Sequence, residues 1–234
     1  MKNYDGVLLD LREMKDEKYR VFNERIANIV PDSSIGVRIP QLRDYAKKFV
    51  RDPDYDEAEL LRFPNEYLEI RMLKCLCVAY AKRPYDELVT GIRKCVPILN
   101  GWSSCDLFVS TLKVLKKHRE EFLPELKSYA AENSEFSQRF ALIVLLTSYM
   151  SREYLPLIFS IAESVDTEKY YVHMGAAWLI AEVLVRFYEY GTAFLKCTKL
   201  NGKTVNKAIQ KARESYRLTL EQKACLNSLK RCAE

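Results

Sequence analysis

YLEIRMLKCLCVAY, residues 67–80, carries Leu68, Met72, Leu73, Leu76 and Tyr80 at the three- and four-residue spacing of one helix face. The same spacing holds almost throughout the chain, and no stretch alternates apolar and polar residues with the period of two that a strand requires. The reading is all-α. Breakers at Pro31 to Gly36, Pro53, Pro64, Arg83-Pro84, Asn100-Gly101, Asn133-Ser134 and Gly202 divide the chain into roughly a dozen short helices with brief connections.

Residue 67 is also the first of four equivalent starts. Strongly apolar helices open near Tyr67, Trp102, Phe136 and Tyr170, each after a shorter and more polar one, at offsets of 35, 34 and 34 residues. One helix pair cannot bury its apolar face alone, so a period of this size predicts an α-solenoid in which each pair stacks on its neighbours. The tetratricopeptide pattern has a similar period, but its Trp-Leu-Gly-Tyr set is absent. The expectation is therefore irregular HEAT-like helix pairs, curved with a concave basic face and forming one continuous domain over residues 1–234. Equivalent helices line one face of such a stack, so Trp102, Asp106, Arg139 and Trp178, all on second helices, are expected to share the concave surface.

Composition excludes several classes. The 234 residues are 48% hydrophobic and 29% charged, with only seven glycines and eight prolines, which fits an ordered, helix-rich chain. The start MKNYDGVLLDLREM lacks the apolar core of a secretory signal, and the longest uncharged run, Phe140 to Ser151, is too short to span a bilayer. A cytoplasmic protein is expected. Seven cysteines at positions 75, 77, 95, 105, 197, 225 and 232 form no CxxC pair and read as reduced, mostly buried thiols. His118 and His173 are the only imidazoles, so neither a metal nor any other cofactor is expected. No GxGxxG, GxxxxGK[ST] or GxSxG occurs, which leaves nucleotide cradles and the hydrolase elbow unsupported.

Charge is uneven along the chain. The net charge is +5, yet Lys196 to Glu234 alone carries ten Lys/Arg against three Asp/Glu, leaving the remainder at −2. Lys199, Lys203, Lys207 and Lys211 recur every four residues, beside an apolar face of Val205, Ala208, Ile209, Ala212 and Tyr216. A lysine stripe suits a phosphate backbone, and it equally suits the solvated face of a terminal helix.

Four residues stand out from apolar helix openings. Trp102 and Asp106, four apart, share one helix face, while Cys105, Phe108, Val109 and Leu112 point into packing. Alternatively Trp102 is core and Asp106 a first-turn acid complementing the helix dipole. Arg139 sits in EFSQRFALIVLLTSYM as a charge at an apolar helix opening and serves either a phosphate or an acid between repeats. Trp178 follows Gly175, Ala176 and Ala177, small residues that permit close helix packing, and reads as core or ligand-facing. His173 reads as structural.

Taken together these stretches resemble the AlkD-type DNA alkylation repair glycosylases, a family of HEAT-like solenoids, over nearly the whole chain. GVRIPQLR, Gly36 to Arg43, looks like the family's G-x-x-x-P-x-x-R turn. WSSCD is similar to its Trp-x-x-x-Asp segment, SQRFAL to its arginine helix, and YYVHMGAAW to its second tryptophan helix, in the same order and at similar spacing.

The resemblance implies excision of positively charged N3- or N7-alkylpurines from double-stranded DNA by hydrolysis of the glycosidic bond. Asp106, Trp102 and Trp178 would be the catalytic residues, and Arg139, Arg38, Arg43, Lys203, Lys207 and Lys211 would meet phosphates. No lysine in these motifs is placed as a Schiff-base nucleophile, so base release without strand cleavage is implied, by a monomer. Whether the base leaves the helix stack stays open. The chain departs from the family pattern at Gly101, where the best-known form has a further tryptophan, at Ser103, where it has an acid, and at Ala181, where it often has an arginine. These departures bear on lesion range and DNA affinity. Two other readings compete: a HEAT-like protein that grips DNA without cleaving it, and a scaffold that binds another protein with Trp102 and Trp178 as anchors.

Overall fold

The computed structural model of the chain describes residues 2–27 and 30–231, so Cys232 lies outside the described residues. Among them the secondary structure is helical: α1 (Tyr4–Glu13), α2 (Glu17–Ala27), α3 (Ile39–Phe49), α4 (Glu57–Arg62), α5 (Leu68–Tyr80), α6 (Tyr85–Cys95), α7 (Trp102–Thr111), α8 (Arg119–Ala131), α9 (Glu135–Ser148), α10 (Leu155–Ser164), α11 (Tyr170–Arg186), α12 (Tyr188–Cys197), α13 (Gly202–Arg213) and α14 (Leu220–Ser228). Three single 3₁₀ turns complete it, and the only extended pairing among the described residues is a bridge between Lys15 and Val37. No helix among the described residues is long and apolar enough to cross a membrane.

The chain divides into two compact units, residues 1–112 and 113–234. In the first, α5 packs on α3 and α7 and is flanked by α4 and α6. In the second, α9 packs on α8 and α11, and α11 on α12 and α13. Within each unit the helices thus stack in chain order, as in an α-solenoid. The starts expected near residues 67, 102, 136 and 170 fall at Leu68, Trp102, Glu135 and Tyr170, and α3 and α13 add a member at either end of the series. Each unit has its own core. Leu11, Leu42, Leu60, Leu73 and Leu76 fill the first, and Ile180, Leu184, Val205, Ile209 and Leu226 the second, every one of them fully buried. Burying such a side chain contributes about 1.5–3 kcal/mol, so the cores rather than the caps hold the stack.

Polar side chains at the helix openings set the register between neighbours. Glu69, in the first turn of α5 and 1% exposed, accepts hydrogen bonds from the backbone N–H groups of Ile35 and Gly36 at 2.8 Å and of Val37 at 3.2 Å. Those three donors converge because Gly36 takes φ +95, a left-handed conformation that an L side chain rarely adopts. A Cβ there would also lie 2.8 Å from both Arg20 Cβ and the Asp16 carbonyl. The turn leads directly into α3, where Pro40 sits in the first helical turn and sacrifices no intrahelical bond.

A second buried charge, Lys74, closes the other side of α5. Its ammonium donates to the carbonyls of Leu61 and Phe63 and, at 2.8 Å, to Asn65 Oδ1, satisfying the open C-terminal end of α4. Burial pushes its pKa down. In the second unit Glu135 accepts from Tyr171 N–H at 2.7 Å and Arg139 Nη1 donates to Tyr171 C=O at 2.9 Å, so the opening of α9 holds the opening of α11. Gly175 lets the two helices approach closely, since a Cβ there would lie 3.3 Å from Leu142 Cδ1.

Cys75, Cys77, Cys95 and Cys105 are buried, whereas Cys197 and Cys225 are exposed. Burial raises the thiols of Cys75 and Cys77 well above their ordinary pKa, which keeps them protonated and unreactive.

Candidate functional site

In the first unit, α7 begins at Trp102 behind Gly101, which is extended at φ −166 and carries no capping side chain. A Cβ on Gly101 would find only Ser103 Oγ, at 3.9 Å, so the backbone does not demand glycine here. Cys105, Phe108, Val109 and Leu112 are buried as their spacing predicts, and Trp102 and Asp106 are half-buried on another side of the helix. Asp106 is the fifth residue of α7, and the first turn holds no acid. The dipole effect fades within that turn, so complementing it does not account for Asp106. The neighbouring Ser103 Oγ is buried with no hydrogen-bond partner.

The two arginines of the GVRIPQLR turn are already engaged. Arg38 is paired with Asp16 at 2.7 Å and lies over the Tyr19 ring, 5.2 Å from its centroid, with its side chain 55% exposed. Arg43, half-buried, donates to Tyr80 Oη, Thr111 Oγ1 and Ser110 Oγ, joining α3 to the ends of α5 and α7. All three partners are neutral hydroxyls, so these bonds leave its charge uncompensated.

In the second unit Trp178 is 36% exposed, while Ala177, Leu179 and Ile180 beside it are fully buried. It therefore sits at the margin of the packing instead of in the core. Trp178 lines a cleft of about 440 Å³ together with Ala181, Val185, Lys211, Tyr216 and Arg217. Lys203, Lys207 and Lys211 lie along α13, whose opposite face, Val205, Ala208, Ile209 and Ala212, is fully buried. Two members of the expected pattern fall outside that helix. Asn201 caps α13 by accepting from Thr204 N–H at 2.8 Å, which leaves Lys199 in the preceding loop, and Tyr216, expected on the apolar face, lies beyond the helix and is wholly exposed.

Arg139 lies inside the packing. Only 5% of it is exposed, and its bond to Tyr171 places the guanidinium within the α9–α11 packing. Its foremost effect is to position α11, the helix that carries Trp178. A larger cleft of about 920 Å³ in the first unit, between Lys47, Tyr55, Tyr80 and Lys94, contains none of the residues singled out from sequence.

His173 is structural, as expected: it is 4% exposed with Nδ1 2.9 Å from Thr204 Oγ1. Burial depresses its pKa first, and Lys203 and Lys207 depress it further, against a smaller opposing effect of Glu168. The lysine stripe is thus felt inside the unit. A histidine whose folded pKa lies below its unfolded value of about 6.5 binds more protons when unfolded. Its contribution to stability is complete above that pH and is lost as the pH falls below it, with a limiting slope of about 1.4 kcal/mol per pH unit. Melting temperatures measured from pH 7.5 to 5.5 should fall more steeply for the native chain than for His173→Gln. Parallel slopes would show that the group does not titrate with folding.

A family model described as DNA alkylation repair enzyme matches residues 7–214 of the chain. No curated protein and no solved structure matches it.

Proposed function

The chain belongs to the DNA alkylation repair enzyme family, and from that premise we propose that it is a monofunctional DNA glycosylase releasing positively charged N3- or N7-alkylpurines from double-stranded DNA. The observation that carries this reading is Asp106, held half-open beside Trp102 one turn into α7 among buried neighbours. In the reaction the bond from the sugar C1′ to the base nitrogen breaks and its electron pair stays with the base. The cationic base leaves neutral and the positive charge moves to the sugar as an oxocarbenium ion. Asp106 stabilises that ion and orients the water that attacks C1′, taking up the proton the water loses. Trp102 and Trp178 offer π-faces to the cationic nucleoside.

The reading assigns Trp102, Asp106 and Trp178 to contacts with the duplex. Lys203, Lys207 and Lys211 meet phosphates, with Arg38 and Arg43 contributing where their present partners leave them open. Arg139, 5% exposed, bears on the duplex through the placement of α11. Each lysine that rests on a phosphate adds about 0.9 to the slope of log affinity against log salt. Replacing Lys203, Lys207 and Lys211 together by Ala is therefore expected to weaken duplex binding and to reduce that slope by up to about 2.7. An unchanged slope, measured by fluorescence anisotropy across salt concentrations, would remove the stripe from the interface.

The decisive assay incubates the protein with methylated duplex DNA and measures free 3-methyladenine and 7-methylguanine. Salt-sensitive binding without any free base would select the non-catalytic DNA-binding reading, which the lysine stripe by itself also satisfies.

A further inference from the structure

The loop that joins α13 to α14 carries the only large apolar side chain among the described residues that is wholly exposed, Tyr216, followed directly by Arg217. One exposed aromatic is unremarked on most surfaces, but this one is presented by a built tip. On one side Ser215 N–H is bonded to Ala212 C=O at 3.1 Å and Ser215 Oγ accepts from Arg217 N–H at 3.2 Å. On the other, Leu218 is buried in the core, and Thr219 with Gln222 forms a reciprocal capping box that fixes the start of α14. Tyr216 and Arg217 stand between these two anchors and line the Trp178 cleft with Lys211.

The charges of that cleft are unequal in kind. Arg186 and Glu182 neutralise each other at 3.0 Å. Among the described residues neither Lys211 nor the Arg217 guanidinium is paired with a carboxylate, and Glu214 is the remaining acid. Two cations, a free phenol and a half-open indole thus converge on one opening, and ordering them on binding costs little because the loop is already held. Phosphate and sugar contacts in protein–DNA interfaces are made by such arginine, lysine and tyrosine side chains.

We propose that residues 215–217 form a second DNA contact, in which Arg217 pairs with a backbone phosphate and Tyr216 packs its ring on the adjoining deoxyribose while its hydroxyl donates to a phosphate oxygen. This rests on the glycosylase reading and extends it: the tip fixes the duplex beside Trp178 and takes no part in bond breaking. It also places positive charge on the cleft that Ala181 lines, from the loop instead of from α11.

The test uses the full chain with an unmodified fluorescent duplex, so it does not depend on catalysis. Tyr216→Ala is expected to weaken binding about tenfold and Tyr216→Phe by a few-fold. Arg217→Ala is expected to lower the salt slope by about 0.9. Because both side chains are exposed, the melting temperatures should match that of the native chain. Native affinity in Tyr216→Ala, or a native salt slope in Arg217→Ala, overturns the proposal even if free methylpurine is released. Conversely, weakened binding by these variants in a protein that releases no base retains the contact and retires the glycosylase reading alone.

Discussion

Asp106→Asn is expected to lower the release of 3-methyladenine and 7-methylguanine by about a thousandfold. The variant keeps the shape of the side chain and one acceptor oxygen, and removes the negative charge together with the capacity to take up the water's proton. A carboxylate about 4 Å from a unit positive charge, at an effective dielectric of about 20, is worth about 4 kcal/mol. Because the charge reaches the sugar only as the glycosidic bond breaks, that attraction acts on the transition state and not on the bound substrate, and every 1.36 kcal/mol corresponds to about a factor of ten in rate. The effect should fall on the single-turnover rate, while affinity for unmodified duplex stays within a few-fold of native. A variant that releases base at the native rate would remove Asp106 from the chemistry. One that loses rate and duplex affinity together would make it a residue that shapes the binding surface.

The repeat was legible in the sequence because buried apolar residues impose their period directly. The openings read at residues 67, 102, 136 and 170 lie within one residue of the helix starts. The end members α3 and α13 were less visible, since each buries one face only and shows the solvent a charged one, Lys47 and Lys48 in α3 and the lysine stripe in α13. The four-residue lysine period also ran past the helix: the Asn201-Gly202 break, readable as a cap, limits α13 and excludes Lys199.

A charge inside an apolar opening is legible at Arg139, and LEIRMLKCLC presents the same signal at Glu69 and Lys74. What the sequence could not supply was the partner. Glu69 answers to backbone donors more than 30 residues away, and Arg139 to the Tyr171 carbonyl across a helix boundary. Whether such a charge reaches the surface depends on those distant groups. Trp102, Asp106 and Trp178 are flanked by residues whose burial the helical period specifies, yet that period leaves each of them open between packing and a ligand-facing role, and it is the structure that puts them at the margin of the packing.

Glu69→Ala is expected to cost about 3–5 kcal/mol of folding stability, the largest loss from any single change considered. The substitution leaves the N–H groups of Ile35, Gly36 and Val37 buried without their acceptor, and each such unsatisfied donor costs about 1–3 kcal/mol. For a chain of this size the melting temperature should fall by about 10 °C or more. Glu69→Gln retains one carbonyl oxygen but turns an amide NH₂ toward donors it cannot accept from, so it should lie between the native chain and Glu69→Ala. Gly36→Ala attacks the same turn from the other side, through its positive φ and the two 2.8 Å contacts a Cβ would make, and should be destabilising as well. The functional consequence follows from position. The turn delivers Arg38 and then Arg43 into α3, so loosening it should weaken duplex binding at temperatures where the variant is still folded. A Glu69→Ala protein with native melting temperature would show that the three donors find other acceptors, and the turn would then owe its shape to Gly36 and Pro40 alone.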